Sequence, residues 1–244
     1  FKPFDSKSRT WTLKDGVVNS SPLSGDPRPG NAKFKKLTPV DENSANPYTL
    51  TDDDRTVIGN TTPKFSGGFG LNATFKGFDV SAFFNFMYDF DVFNANKVMM
   101  TTWASNNYNN FSMDISAAKR WRNFDDMGNE IRYSPEILAE FNKNATMWNP
   151  TSIGRPIAMS YAVEDGSFLR LNTATIGYTL PRAWTNKVGL SRVRFYASGY
   201  NLFTITGYSG YDPEVDIATG LTPNIDNNRY PRSRTYTFGV QLTF

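Results

Sequence analysis

The 244-residue sequence contains no cysteine and no histidine. Disulfide frameworks, Cys/His zinc sites and the nucleophile–histidine pairs of catalytic triads are therefore excluded from it. No apolar run approaches the roughly 18 residues that a transmembrane helix requires. Neither sign of charge is in large excess, since 26 basic residues stand against 23 acidic ones, and this balance does not indicate nucleic-acid binding.

Aromatic residues, in contrast, make up 15% of the sequence. They are concentrated in FDVSAFFNFMYDFDVF, residues 78–93, where the even positions are all apolar and the odd positions are mostly polar. Successive side chains of a strand point to opposite faces, so this pattern predicts a long strand with one apolar face. The negative mean hydropathy is compatible with a membrane strand, because strands that alternate between lipid and water average to a polar value.

Four further segments alternate in the same way, although less regularly. With the first, they predict five strands, at 64–76, 78–94, 166–180, 192–206 and 233–244. The alternation blurs beyond Gly199, which predicts a β-bulge there. Each segment reaches the length of about 9–11 residues that a transmembrane strand needs, whereas strands of soluble proteins usually have about 5–6 residues.

The connections between these segments alternate between short and long. Lys76-Gly77 and Pro181–Ser191 are short, whereas 95–165 and 207–232 are long. An up-and-down antiparallel sheet gives this pattern when the connections at one end are short and those at the other end are long. Outer-membrane barrels have this arrangement, with short periplasmic turns and long extracellular loops. A soluble β-sandwich is the alternative.

Two short helices are predicted in the longer loop, around 114–122 and 135–142, the second with Ser134 as its N-cap.

Four stretches carry a resemblance to a known family. Residues 163–181, 193–215 and 230–244 resemble the closing strands of SusC-like (SusC/RagA) transporters, which are TonB-dependent outer-membrane receptors of Bacteroidetes. Residues 52–86 resemble that family's segment of the form D-R-x-x-I-G-x-x-x-P-x-F. The strand that ends in Phe244 also resembles the C-terminal signal by which such proteins are recognised for barrel assembly.

This resemblance implies an all-β fold, a transmembrane antiparallel barrel of about 22 strands with a plugged lumen and long extracellular loops. The chain would supply the C-terminal strands, within 64–244, after a region of strand and extracellular loop at 1–63. The plug domain, the TonB box and the earlier strands would lie outside this chain. The implied location is the Gram-negative outer membrane, with several membrane crossings.

The family also implies a function, which is the energy-coupled import of glycans together with a SusD-like surface lipoprotein and TonB. No enzymatic activity and no cofactor are expected. One alternative is an importer of peptides with the same architecture. Another is a passive structural or adhesive barrel.

Candidate functional residues are loop aromatics and side chains that face lipid, and no residue is predicted to be catalytic. Acidic pairs such as Glu164-Asp165 and Asp125-Asp126 lie in predicted loops that are exposed to solvent, and the acids at 52–54 lack the spacing of a calcium loop, so no metal site is predicted. Loop aromatics are available to stack on sugar rings, to pack the loops against one another or to contact a partner protein: Trp103, Tyr108, Trp148, Tyr208 and Tyr211. Side chains predicted to face lipid are Phe78, Phe84, Phe86, Tyr236 and Phe238.

Overall fold

The computed structural model describes residues 1–103, 110–153, 157–214 and 223–244. The chain divides into two compact units, one of Phe1–Ile58 with Ala95–Ala162 and one of Gly59–Asn94 with Val163–Phe244. Within the described ranges, no helix is both long enough and apolar enough to cross a membrane.

The strands belong to the second unit. In chain order they are β1 Phe65–Phe75, β2 Phe78–Tyr88, β3 Asp91–Asn94, β4 Val163–Asp165, β5 Phe168–Thr179, β6 Arg192–Thr206, β7 Ile225–Asp226 and β8 Thr235–Thr243. The α-helices are α1 Ser21–Ser24, α2 Ala95–Met99, α3 Pro135–Phe141 and α4 Arg182–Thr185. Short 3₁₀ turns lie at Asp52–Asp54, Met113–Ile115, Pro150–Ser152, Ser160–Ala162 and Asn186–Val188.

Five strands form the main sheet in the order β1-β2-β5-β6-β8, and every neighbouring pair is antiparallel. The turn between β1 and β2 consists of Lys76 and Gly77, which both have positive φ, at 45° and 88°. Two consecutive positive φ values are those of the two-residue turn that matches the twist of a hairpin. The predicted antiparallel β architecture is confirmed.

One face of the main sheet is apolar across all five strands because the registers align. Phe78 pairs with Tyr178, Tyr178 with Phe195, and Phe195 with Val240. Nearer the other rim, Leu171 lies between Phe84 and Phe203.

This continuity depends on a β-bulge in β5 and β6. The register shifts between Leu171 and Thr173, and the facing Asn201 has a φ of 52°. The shift places Leu171 and Ala174 on the same face, although an unbroken alternation would separate them. The bulge predicted beyond Gly199 is therefore confirmed.

The strand predicted over 78–94 is interrupted, which corrects the sequence-based interpretation. β2 ends at Tyr88, Asp89 takes a φ of 58°, and β3 belongs to a second sheet of order β4-β3-β7. The physical reason is burial: Phe90 is only 2% exposed and packs with Val92 in an apolar cluster beyond the main sheet. The Asp89 carboxylate pairs with Lys64 at this break.

The two predicted helices have different outcomes. α3 occupies Pro135–Phe141, within one residue of the predicted range, and Ser134 stands at its N-cap position but its side chain makes no capping hydrogen bond. The helix predicted around 114–122 is wrong, because that region has only the 3₁₀ turn Met113–Ile115. Ser116 adopts an extended ψ of 160° directly after this turn, and Arg120 then forms a parallel bridge with Met147. These backbone contacts compete with a continuous helix.

The first unit has its own apolar core among irregular segments. Val98, Ile115, Ile131, Leu138 and Ile153 are all buried there. The 3₁₀ turn at 52–54 is attached to this unit through Asp54, whose carboxylate lies 3.2 Å from the Lys36 ammonium.

Candidate functional site

The apolar face of the main sheet is exposed in this chain. The five side chains predicted to face lipid all lie on this face; four of them pair with apolar side chains, and Tyr236 pairs with Gly199. Phe238 is 80% exposed, whereas Phe84 is half-buried because it stacks on Phe69 with the ring centroids 5.0 Å apart. Soluble monomers rarely expose contiguous apolar patches larger than a few hundred Å², and here large apolar side chains are exposed on all five neighbouring strands. This face therefore requires a covering in its native setting.

The opposite face is mostly polar, with Phe83 and Met87 of β2 as apolar exceptions, and is held by side-chain pairs. Arg194 of β6 forms a bidentate ion pair with Asp79 of β2, with Nε to Oδ1 at 2.9 Å. The pair spans β5 directly above Gly177, where a Cβ would approach the guanidinium to 2.4 Å. Thr175 and Ser198 also share a hydrogen bond of 2.8 Å between their hydroxyls. A polar face of this kind suits contact with water or with polar groups.

A buried charge network lies where the segment after β6 folds back over the polar face. The Arg170 side chain, 3% exposed, donates to Asp212 at 2.5 Å and forms an ion pair with Glu214 at 2.9 Å. Arg232 lies 3.3 Å from the same Glu214 carboxylate. Asn85 of β2 donates its side-chain amide to Glu214 at 3.4 Å. Two arginines and two carboxylates thus balance one another and attach this segment to β2 and β5.

Tyr208 lies beside this network in a small apolar cluster with Phe90, Val92 and Phe168. Its hydroxyl donates to Asp226 at 2.7 Å, and burial, followed by this hydrogen bond, raises the pKa of Tyr208 above its ordinary value. Only 5% of the residue is exposed. The expectation that Tyr208 is available to a ligand is therefore corrected, because its ring packs inside the chain.

The other predicted loop aromatics differ in their surroundings. Tyr211 is 85% exposed. Trp103 is partly exposed and lies against Phe111, with ring centroids 5.7 Å apart. Trp148 is half-buried, with its indole N–H donating to the Thr101 carbonyl at 3.1 Å. Tyr108 lies outside the described residues.

The acidic run at 52–54 is organised around Asp54. Its carboxylate accepts backbone N–H bonds from Leu37, Thr38 and Thr51 at 2.8–2.9 Å. These bonds, with that of Thr38 the largest contribution, hold the pKa of Asp54 well below its usual range. The carboxylate is thus occupied by donors of the protein itself. Among the described residues, no group of three or more acidic side chains is arranged to hold a metal ion.

Phe244 follows the last residue of β8. The Ser191 hydroxyl donates to the carbonyl oxygens of Thr243 and Phe244, at 3.0 and 3.2 Å. The Phe244 ring is 89% exposed, and its role as an assembly signal stays a prediction.

Comparison with known proteins finds relatives that are all named TonB-dependent receptors. No family model matches the chain. TonB-dependent receptor P3 of Formosa agariphila is 32% identical over 228 residues, which cover 91% of this chain and 20% of that receptor. TonB-dependent receptor SusC of Bacteroides thetaiotaomicron is 32% identical over 164 residues, which cover 62% of this chain and 15% of SusC.

Solved structures show the same likeness. The structure of the RagAB peptide transporter matches with a TM-score of 0.62 and 26% identity, covering 81% of this chain and 19% of that chain. A second structure, the RagAB peptide importer in its closed-closed state, matches with a TM-score of 0.56 and 25% identity, over 83% of this chain and 19% of the other. The chain spans only about a fifth of the length of these relatives.

Proposed function

We propose that this chain, which belongs to the SusC-like TonB-dependent receptors, forms part of the wall of an outer-membrane barrel that imports glycans. The observation that carries this proposal is the main sheet itself. Its apolar face is continuous and uncovered over five strands, and its opposite face is polar and salt-bridged. A barrel wall between lipid and a wet lumen needs both features in one sheet.

The dimensions of the sheet fit this placement. β2 has 11 residues, which correspond to about 37 Å of extended strand. At a tilt of about 45° such a strand spans about 26 Å, close to the apolar band of about 25 Å that outer-membrane barrels present. Phe78, Phe84, Phe86, Tyr236 and Phe238 would contact lipid. Aromatic pairs lie at both ends of this span, Phe78 with Tyr178 and Phe65 with Tyr88, where interfacial girdles are expected.

Transport would be coupled to energy through TonB, which would act on parts of the receptor outside this chain. A SusD-like lipoprotein would be the partner at the cell surface. Both partners are supported by the relatives, one of which is SusC and another the RagAB transporter. The long connections at 95–165 and 207–232 would face the outside of the cell, and the hairpin at Lys76-Gly77 the periplasm.

A glycan is the proposed cargo because the loops offer exposed aromatic rings. Trp103 and Tyr211 present ring surface that suits the apolar faces of sugars. Peptide import is the second candidate, and the match to a peptide transporter favours it. The two candidate functions differ in the chemistry of the imported molecule but use the same barrel architecture.

Uptake by cells tests this proposal directly. We expect a labelled oligosaccharide to enter cells that produce the full-length receptor, and uptake to stop when TonB is inactivated. Uptake that persists without TonB would contradict energy coupling and support a passive barrel. Entry of a labelled oligopeptide in place of the oligosaccharide would support the second candidate. Purification of the full-length protein without detergent would exclude the membrane barrel and favour a soluble β-sandwich.

A further inference from the structure

The first unit contains a cavity of about 330 Å³ whose walls combine arginine and aromatic side chains. The side chains that matter to its chemistry are Arg9, Arg28 and Arg132 together with Trp11, Tyr133 and Asn123. None of the residues that line it belongs to a strand. Its size is at the low end of the range for ligand pockets, about 300–1,000 Å³, so it suits one or two rings of a larger molecule.

The turn that carries Arg9 is fixed by the carboxylate of Asp5. This carboxylate accepts the Lys7 backbone N–H at 2.9 Å and the Ser8 hydroxyl at 2.6 Å, and Asp5 itself forms a bridge with Thr10. Arg9 has a φ of 54°, which a non-glycine residue adopts only where its surroundings hold it. The guanidinium consequently lies over the Tyr133 ring, 4.0 Å from its centroid.

The charge of the cavity is positive. Arg28 lies 3.7 Å from the highly exposed Asp26, which is the one carboxylate among the lining residues. Such an exposed pair is screened by water and contributes little. Arg132 is paired with Glu130. For Arg9, the part of the chain that the structure describes supplies no carboxylate partner, so its charge is available to a ligand.

The aromatic side chains that line the cavity, Trp11 and Tyr133, are fixed by contacts with other residues of the unit. The Trp11 indole N–H donates to the Arg132 carbonyl at 3.3 Å, and its ring lies 4.8 Å from that of Phe4. Phe4 also contacts Tyr133, at 6.1 Å between centroids. Trp11 and Tyr133 are each half-buried, so they offer a fixed edge of ring surface rather than a mobile side chain.

We propose that this cavity binds a carboxylated sugar unit of an acidic oligosaccharide, an inference that rests on the glycan cargo proposed above and makes it more specific. Guanidinium groups hold carboxylates through two parallel hydrogen bonds, and Arg9 and Arg28 would supply them. The open edges of Trp11 and Tyr133 would contact the apolar face of the sugar ring, since Arg9 covers one face of Tyr133. A peptide fits less well, because extended peptides are commonly captured through the backbone of a strand edge, and no strand lines this cavity.

The test is calorimetric titration of the purified full-length receptor in detergent with three probes. They are a trimer of galacturonate, the same trimer with its carboxylates reduced to alcohols, and triglutamate. We expect the galacturonate trimer to bind at least about tenfold more tightly than the reduced trimer, since hydrogen bonds to charged groups contribute that much. We expect Arg9→Gln and Arg28→Gln each to weaken its binding by about tenfold.

Arg55→Gln is the matched control, because Arg55 is an exposed arginine of the same unit that pairs with Asp52 and does not line the cavity. It should leave the affinity unchanged. Equal binding of the acidic and reduced trimers, or equal losses in the control and cavity variants, would overturn the proposal. Arginine-dependent binding of triglutamate as tight as that of the galacturonate trimer would overturn the sugar assignment. The proposed transport function is tested separately. If any of these binding results fails but cells still take up a neutral oligosaccharide in a TonB-dependent way, only the cavity proposal is overturned.

Discussion

The stretch 78–93 has a single alternating pattern, yet its two parts differ in structure on either side of Asp89. Before that residue, the alternating aromatics lie on the uncovered face of the main sheet, where Tyr88 is 57% exposed. After it, Phe90 is 2% exposed inside a cluster with Phe168 and Tyr208. Alternation thus indicates which residues share a face only within an unbroken strand, and what covers that face is set by distant parts of the chain or by lipid.

The largest expected change in the free energy of unfolding distinguishes these two parts of the stretch. Phe90→Ala should destabilise the full-length receptor by about 3–5 kcal/mol, because it removes a buried ring and leaves a cavity. Tyr88→Ala is the matched control and should cost clearly less than Phe90→Ala, since more than half of Tyr88 is exposed and its removal leaves no enclosed cavity. Urea unfolding of the receptor in lipid vesicles measures both. Similar losses of stability at the two positions would show that Tyr88 and Phe90 have equivalent surroundings.

A second substitution tests what covers the apolar face. Phe84→Arg should cost about 2–4 kcal/mol in vesicles if this position lies near the middle of the bilayer. Asn72→Arg is the control on the polar face of the neighbouring strand, where Asn72 pairs with Ser81, and it should be tolerated. The same unfolding assay applies. Equal tolerance of arginine on the two faces would contradict contact of the apolar face with lipid.

Tyr208 allows a test that depends on pH. Because its pKa is raised in the folded state, its contribution to stability is complete below the ordinary tyrosine pKa of about 10 and is lost as the pH rises through the folded value. Tyr208→Phe should cost about 1–3 kcal/mol at neutral pH, since it leaves Asp226 without this donor.

The spectrum of this variant gives the pH readout. The difference in tyrosinate absorbance between wild type and Tyr208→Phe should stay near zero at pH 10, where exposed tyrosines ionise, and appear only at higher pH. A difference that develops with a midpoint near pH 10 would show that Tyr208 is exposed to water. The same phenylalanine substitution at Tyr211, which is 85% exposed, provides the ordinary titration for comparison.

The sequence predicts the main sheet well because strand alternation is a local property. The antiparallel architecture, the hairpin at Lys76-Gly77 and the bulge beyond Gly199 all follow from patterns within a few residues. The break at Asp89 does not follow, since it depends on Phe90 meeting Phe168, which lies far away in the chain. The helix predicted around 114–122 fails for a similar reason, because Arg120 forms its bridge with the distant Met147.

The candidate sites depend still more on distant contacts. Nothing near Tyr208 in the sequence distinguishes it from Tyr211, yet one is buried on Asp226 and the other is exposed. The arginine-lined cavity joins Arg9 to Tyr133 across more than half of the chain, so no local motif indicates it. Sequence patterns alone therefore place aromatic residues in loops without separating those that pack from those that a ligand can reach.

The smallest expected effect concerns the pair that holds the polar face. Asp79 and Arg194 are partly exposed, with side-chain accessibilities of 34% and 18%, so their coupling is modest despite bidentate geometry. A double-mutant cycle with Asp79→Asn and Arg194→Gln should give a coupling energy of about 1 kcal/mol or less. No comparable coupling is expected between Phe69 and Phe84 across the apolar face if lipid replaces each removed contact. A larger coupling for the aromatic pair than for the ion pair would mean that the apolar face packs against protein, so this cycle discriminates between a wall in lipid and a covered core.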